Sequence, residues 1–307
     1  MPEAACRLAS LPSLGAIAVT GPDALAFLAA QLSQAPPEPG TGRAPLAAWH
    51  DAKGRVQALF RVVVGHDGGY QLITHSSVVD EVATSLRRYV LRAEVTIDVP
   101  ADLACAAVLG DSAPWLAENG IELDIEAGAS AIEGDVAWLR LAPELVHAVA
   151  ATDKIEQLAA ELPSGSAAVA ELAEIHLGIP TVSAELRGQF LPQMLNLDVL
   201  GGVASDKGCY PGQEIIARAQ NLGTVKRRLL RFTRDDGSAL PAAGSKLQDV
   251  ARTEVGTVVR AARSASGIEL LAVMRLDAVR GPLATDDAPD LPLSVAELPY
   301  AIPGVDV

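Results

Sequence analysis

The chain has 307 residues, half of them hydrophobic but only 4% aromatic, and a formal net charge of -14. That apolar content can fill the cores of two or three globular domains, whereas the charge opposes broad attraction to a nucleic-acid backbone or an anionic membrane surface. No apolar run reaches the roughly 18 residues of a spanning helix, the first residues lack a leader layout, and three scattered cysteines form neither a disulfide framework nor a zinc spacing. A soluble cytoplasmic chain with reduced thiols, no membrane contact and no metal site is expected.

Residues 14–19 read as a buried strand, Gly21, Pro22 and Asp23 as a turn, and Leu25, Leu28 and Leu32 as one face of a helix. The next ten residues, QAPPEPGTGR, hold three prolines and two glycines and are expected to form an exposed loop. From 46 to 75 three strand-like runs are separated by Asp51-Ala52-Lys53-Gly54 and His66-Asp67-Gly68-Gly69, which is hairpin chemistry. Val78, Val82, Leu86 and Tyr89 or Val90 then mark an amphipathic helix leading into the strand-like AEVTIDV. A β-β-β-α-β unit at about 44–99 is the simplest reading.

A second mixed region follows, with a strand-like LACAAVLG, a helix at 113–118, strands near 136–141 and 145–150, and helices near 154–162 and 167–177. Beyond residue 223 the helical period disappears, and VKRRLLRFTR, EVGTVVRAA, IELLAVMRL and PLSVAELP read as the short strands of a barrel or sandwich. The cationic run 226–234 has the look of a charged edge strand more than of a phosphate-binding stripe. The five histidines share no ligand spacing and suit structural or surface roles.

Chemistry concentrates in one segment, SDKGCYPGQEIIARAQ. Tyr210-Pro211-Gly212-Gln213 fits a type II turn, because Pro fixes φ at its second position and Gly accepts positive φ at its third. A helix starting at Gln213 or Glu214, with Ile215, Ile216 and Ala219 as apolar positions, puts Cys209 in a tight loop just before a helix N-terminus. The helix dipole and the Lys207 ammonium both favour a thiolate there. Local chemistry alone still favours a small buried cysteine between two turn glycines and a solvated lysine. No dinucleotide, Walker, serine-hydrolase or zinc-protease signature occurs.

The segment 188–230, and within it the complete match KGCYPGQE at 207–214, closely resembles the YgfZ family of folate-binding proteins. Weaker similarity, in the family's order, covers VTGPDALAFLAAQLS, AAWHDAKGRV, LRRYVLRAEVTI and GIP at Gly178. Through its kinship with the aminomethyltransferase T-protein of the glycine cleavage system, the resemblance implies an α+β fold of two interleaved α+β units over 1–222 and a C-terminal β-barrel over 223–307, in a three-lobed ring. It implies a folate-binding accessory protein for iron-sulfur cluster assembly or repair that indirectly supports tRNA thiomodification. Its ligand would be tetrahydrofolate or a derivative, its partners iron-sulfur client enzymes or assembly proteins, and direct tRNA binding is not expected.

On that reading Cys209 is the functional thiol, with Lys207 tuning it or holding an anion, or Cys209 holds a transient iron-sulfur cluster or sulfur species. Gly208, Tyr210, Pro211, Gly212, Gln213, Glu214 and Arg218 form the motif loop, while the folate contacts stay unassigned. The alternative is a tetrahydrofolate-dependent aminomethyltransferase. T-proteins typically carry a carboxylate pair where this hairpin has Ala58 and Leu59, so the expected catalytic acid is missing. A second departure precedes Gly178, where relatives show a basic or amide residue and then an acid, and this chain has Glu174 and His176.

Overall fold

The structure is a computed structural model describing residues 6–65, 67–221, 225–235 and 239–304, with the side chain of Asn221 excepted. His66 and the domain boundary expected at 222/223 lie outside the described residues. The chain divides into two compact units: the described residues up to 49 with 58–170 and 206–210, and 50–57 with 171–205 and 211–304.

Ten strands build two antiparallel sheets. They are β1 Cys6–Ser10, β2 Leu14–Thr20, β3 Leu46–His50, β4 Val56–Val64, β5 Tyr70–His75, β6 Thr96–Asp98, β7 Leu103–Gly110, β8 Ser130–Glu133, β9 Val136–Ala142 and β10 Leu145–Ala151. One sheet has the order β3-β4-β5-β2-β6 and the other β1-β7-β10-β9-β8. The first strand therefore joins the later sheet, with Cys6 opposite Gly110, while the second strand sits inside the earlier one, between β5 and β6. That is the interleaving the resemblance implies.

The first sheet is covered by helices α1 Ala24–Gln31 and α2 Val79–Arg87. Its core joins Ile17, Val19, Phe60 and Leu72 to Phe27 and Leu28 of α1 and Val82 and Leu86 of α2. Each such side chain, fully buried, contributes about 1.5–3 kcal/mol. Gly21, at φ +112, lets the chain turn into α1 against the backbone of Glu94, whose N–H donates to Asp23 Oδ2 at 2.8 Å. In α2 the apolar stripe expected from Val82 and Leu86 is buried, but the helix stops at Arg87. Tyr89 turns outward at 48% exposure while Val90 packs on the core.

Helices α3 Ala113–Glu118 and α4 Thr152–Glu161 accompany the second sheet, where Trp138, Val146, Ala148 and Val108 form the centre of a core that includes Leu116 and Ile155. After α5 Ala167–His176, short 3-10 turns at Ala184–Leu186 and Pro192–Leu195 lead to α6 Gln213–Asn221.

The remaining strands, β11 Arg227–Arg234, β12 Lys246–Asp249, β13 Glu254–Arg263, β14 Ile268–Arg275, β15 Leu283–Thr285 and β16 Ala288–Ala296, form a closed barrel of order β11-β14-β13-β12-β15-β16. Its filling includes Leu230, Phe232, Leu270, Ala272 and Met274. The cationic run departs from the sequence reading. Strand β11 is paired on both sides, with β14 and with β16, so it is no edge. Arg228 and Arg234 are buried, and Arg228 makes a bidentate pair with Asp198 at 2.7 and 3.0 Å.

Candidate functional site

Lys207 is the anchor of the motif loop within the first unit. Its Nζ donates to the main-chain oxygens of Ala29 at 2.6 Å and Leu32 at 2.5 Å, at the C-terminal end of α1. The last carbonyls of a helix have no partner within it and carry the negative end of its dipole. Helix α1 has no basic residue of its own in the last turn, so a lysine far along the chain supplies the charge. The same ammonium sits 4.7 Å from the centre of the Tyr210 ring, a cation–π contact that links both ends of the tetrapeptide Lys207-Gly208-Cys209-Tyr210. Half-burial pulls the Lys207 pKa down, and the adjacent Cys209 as thiolate opposes that shift. Tyr210 is buried at 7% exposure, and burial pushes its phenol up.

With Lys207 and Tyr210 held, Cys209 lies between them and is exposed, whereas Cys6 and Cys105 are buried. Burial pushes the Cys105 thiol to about 12 and raises that of Cys6, which leaves both inert at neutral pH. The buried cysteine that local chemistry favoured at 209 is thus not what the fold builds. Gly208 is exposed and a Cβ there would meet nothing, so no steric demand explains that glycine.

Gly212 is the opposite case. It lies in the second unit at φ +77, as the third position of a type II turn requires, and a Cβ would come within 2.6 Å of Asp51 O and of Gly54 Cα. Gly54, at φ +72, faces it from the turn between β3 and β4. That turn is fixed by Asp51, whose Oδ1 accepts from the N–H groups of Lys53 and Arg55, each at 2.9 Å. Two glycines in contact let the β3–β4 turn and the start of α6 approach backbone to backbone. Gly212 O accepts from Ile216 N at 3.2 Å, so Gly212 occupies the cap position of α6 and Cys209 stands three residues ahead of it.

Along α6, Ile216 is buried while Ile215 is 39% exposed, so only one of the two isoleucines faces inward. Glu214 and Arg218 pair at 3.1 Å on the solvent side, at 82% and 65% exposure, where an ion pair is worth at most about 1 kcal/mol. Gln213 is half-buried, with no side-chain polar contact among the described residues, and Pro211 is half-buried beside it. The loop thus brings Lys207, Cys209 and Tyr210 together, while Glu214 and Arg218 serve the helix.

Sequence reasoning missed several residues that hold this region. Gln193, 1% exposed, donates from Nε2 to Ile216 O at 2.9 Å, and Asn196, in the left-handed region at φ 57, donates to Leu229 O at 2.9 Å. Polar side chains at fully buried positions leave no periodic signal. At the family departure, Glu174 pairs with Arg260 at 2.7 Å and His176 Nε2 lies 2.9 Å from Glu269 Oε2, so both bind the barrel. Ala58 and Leu59 are buried in β4, which places no carboxylate at those positions. Among the described residues no group of three His, Cys, Asp or Glu side chains is placed to hold a metal ion.

No family model matches the chain. Among curated proteins, it is 30% identical over 321 aligned positions to the tRNA-modifying protein YgfZ of Cronobacter sakazakii, covering 98% of this chain and 96% of that one. The protein of the same name from Colwellia psychrerythraea is 30% identical over 229 positions, 72% of this chain and 70% of its own. Among solved structures, the glycine cleavage system aminomethyltransferase T from Bartonella henselae superposes with a TM-score of 0.76 over 97% of this chain and 87% of that one, at 15% identity. The chain has the T-protein fold.

Proposed function

The chain belongs to the YgfZ family, and from that premise we propose that it is a folate-binding accessory factor for iron-sulfur enzymes that acts through the Cys209 thiol in the cytoplasm. The observation that carries this reading is the build of the loop: Lys207 and Tyr210 are both committed to holding it, and the side chain left facing solvent between them is that of a cysteine. A free, solvent-exposed thiol is within reach of a sulfur donor or acceptor, and its deprotonated form is the nucleophile. One cysteine does not make a cluster cage, which takes four protein ligands as a rule. The fitting role is therefore transient capture of a sulfur species or of one ligand position on a client's cluster, and the effect on tRNA modification follows through the client.

Folate enters by family and fold. One cavity of about 670 Å³, bordered by Asp198, Arg228 and Leu276, falls in the size range of small-molecule sites. Both Asp198 oxygens already accept from Arg228, so that cavity offers no free carboxylate for a pterin, and the folate contacts are left unassigned. The T-protein fold also favours a second reading, one-carbon transfer to tetrahydrofolate, against which stand the buried Ala58 and Leu59.

The test is complementation of a deletion strain with the activity of an iron-sulfur enzyme as readout. Cys209→Ala is expected to leave that activity at the level of the empty vector; restoration to the wild-type level ends the thiol role. Calorimetric titration of the purified protein with tetrahydrofolate checks the ligand, and a flat titration removes folate from the reading. Methylenetetrahydrofolate formed from an aminomethyl donor would establish the transferase instead.

A further inference from the structure

The segment after α2 is built like a docking crest. Arg87, Arg88 and Arg92 fall within six residues with no acid among them, in a chain of charge -14. Arg87 is committed, its Nε donating to Ile97 O at 2.8 Å, but the exposed guanidinium groups of Arg88 and Arg92 have no described partner. Between them Leu91 stands 87% exposed and Tyr89 48% exposed.

The crest is rigid. Tyr89 N donates to Leu86 O and Val90 N to Arg87 O, which continues the helix end as two tight turns. Val90 and Val95 pack on the core and so force Leu91 outward. The Tyr89 ring meets Trp49 edge-on, with centroids 6.2 Å apart, and Trp49 is buried. Tying down the backbone and the Tyr89 ring ahead of the exposed Leu91 lowers the ordering cost of docking there.

Its position bears on the thiol. Trp49 bridges to Leu32, and the carbonyl of Leu32 is one of the two that hold Lys207. The crest and the Cys209 loop thus share one support within the first unit.

We infer that Arg88, Tyr89, Leu91 and Arg92 form the surface that docks an acidic protein partner with an apolar pocket, presenting it to Cys209. The inference rests on the thiol reading above. Tyr and Arg around an apolar centre are the residue types enriched where proteins bind one another. Two free arginines select an acidic rim and reject basic partners. A protruding aliphatic side chain flanked by Tyr finds its counterpart in an apolar protein pocket, which a phosphate backbone does not offer.

The experiment uses the full chain with Leu91→Asp and, separately, Arg88→Glu with Arg92→Glu, in the complementation assay. Each is expected to cut the iron-sulfur enzyme's activity at least tenfold, with circular dichroism, melting temperature and the rate of Cys209 labelling by a maleimide unchanged. Arg88→Lys with Arg92→Lys is expected to restore most of it. If both sets complement fully while Cys209→Ala does not, the docking surface is refuted and the thiol role survives. If Cys209→Ala also complements, the functional reading itself falls. Loss of purified-tRNA binding in the variants would make the crest an RNA contact, and conversion of a dimer to a monomer in sedimentation would make it a contact between copies. Either result overturns the inference.

Discussion

Gly208 and Gly212 look alike in the motif, and the fold separates them. At Gly212 a side chain meets backbone at 2.6 Å and must adopt φ +77, so Gly212→Ala is expected to cost about 3 kcal/mol in denaturant unfolding from strain and overpacking together. Gly208→Ala should stay within about 0.5 kcal/mol, as at an ordinary surface position. A second residue-level outcome concerns Tyr300, whose hydroxyl donates to Gly178 O at 2.8 Å and whose burial pushes its phenol to about 12, further helped by Asp198. The unfolded chain ionises this phenol near pH 10. Between about pH 10 and 12 the unfolded state therefore binds fewer protons than the folded one, and stability falls as pH rises, by at most about 1.4 kcal/mol per unit. Tyr300→Phe is expected to be about 1 kcal/mol less stable at pH 7 and to lose less than wild type over that alkaline window in pH-dependent unfolding.

Among the elements, those with strong periodicity were legible in the sequence. The strand and helix at 14–32, the meander at 46–75 and the helix at 113–118 appear where composition and spacing put them. Strands β1, β8, β12 and β15 were not legible. They are three to five residues long, and what makes each a strand is a distant partner, as when Cys6 pairs with Gly110. The site divides in the same way. The turn at Pro211-Gly212 and the position of Cys209 follow from local residue types, but exposure of the thiol follows from where Lys207 reaches. Its partners Ala29 and Leu32 carry no sequence mark, because any residue has a carbonyl to offer. That contact predicts how α1 ends. Lys207→Met keeps much of the apolar stem yet removes two charge-assisted hydrogen bonds from the helix terminus. Loss of about 1–3 kcal/mol is expected in urea unfolding, with faster amide exchange at the end of α1. An unchanged exchange pattern would mean that α1 does not depend on this lysine.

At the scale of the whole molecule, charge decides which partners the chain meets. The cationic run on β11 has five basic residues in nine, enough in sequence to raise a phosphate-binding stripe as the alternative to a charged edge strand. Folding withdraws most of them: Arg228 is paired with Asp198, Arg231 with Glu269, and Arg234 is buried with its Nη1 on Thr285 Oγ1 at 2.8 Å. Lys226 and Arg227 remain exposed. Two phosphate contacts give a slope near -2 for log affinity against log salt, so a rise from 50 to 200 mM weakens binding by about tenfold. Set against a net charge of -14, that leaves no saturable tRNA binding by this run at physiological salt, and fluorescence anisotropy with labelled tRNA measures it directly. Micromolar binding at 150 mM salt, lost in Lys226→Glu with Arg227→Glu, would show that the barrel carries an RNA site. Its absence is the outcome that the proposed route to RNA through client proteins requires.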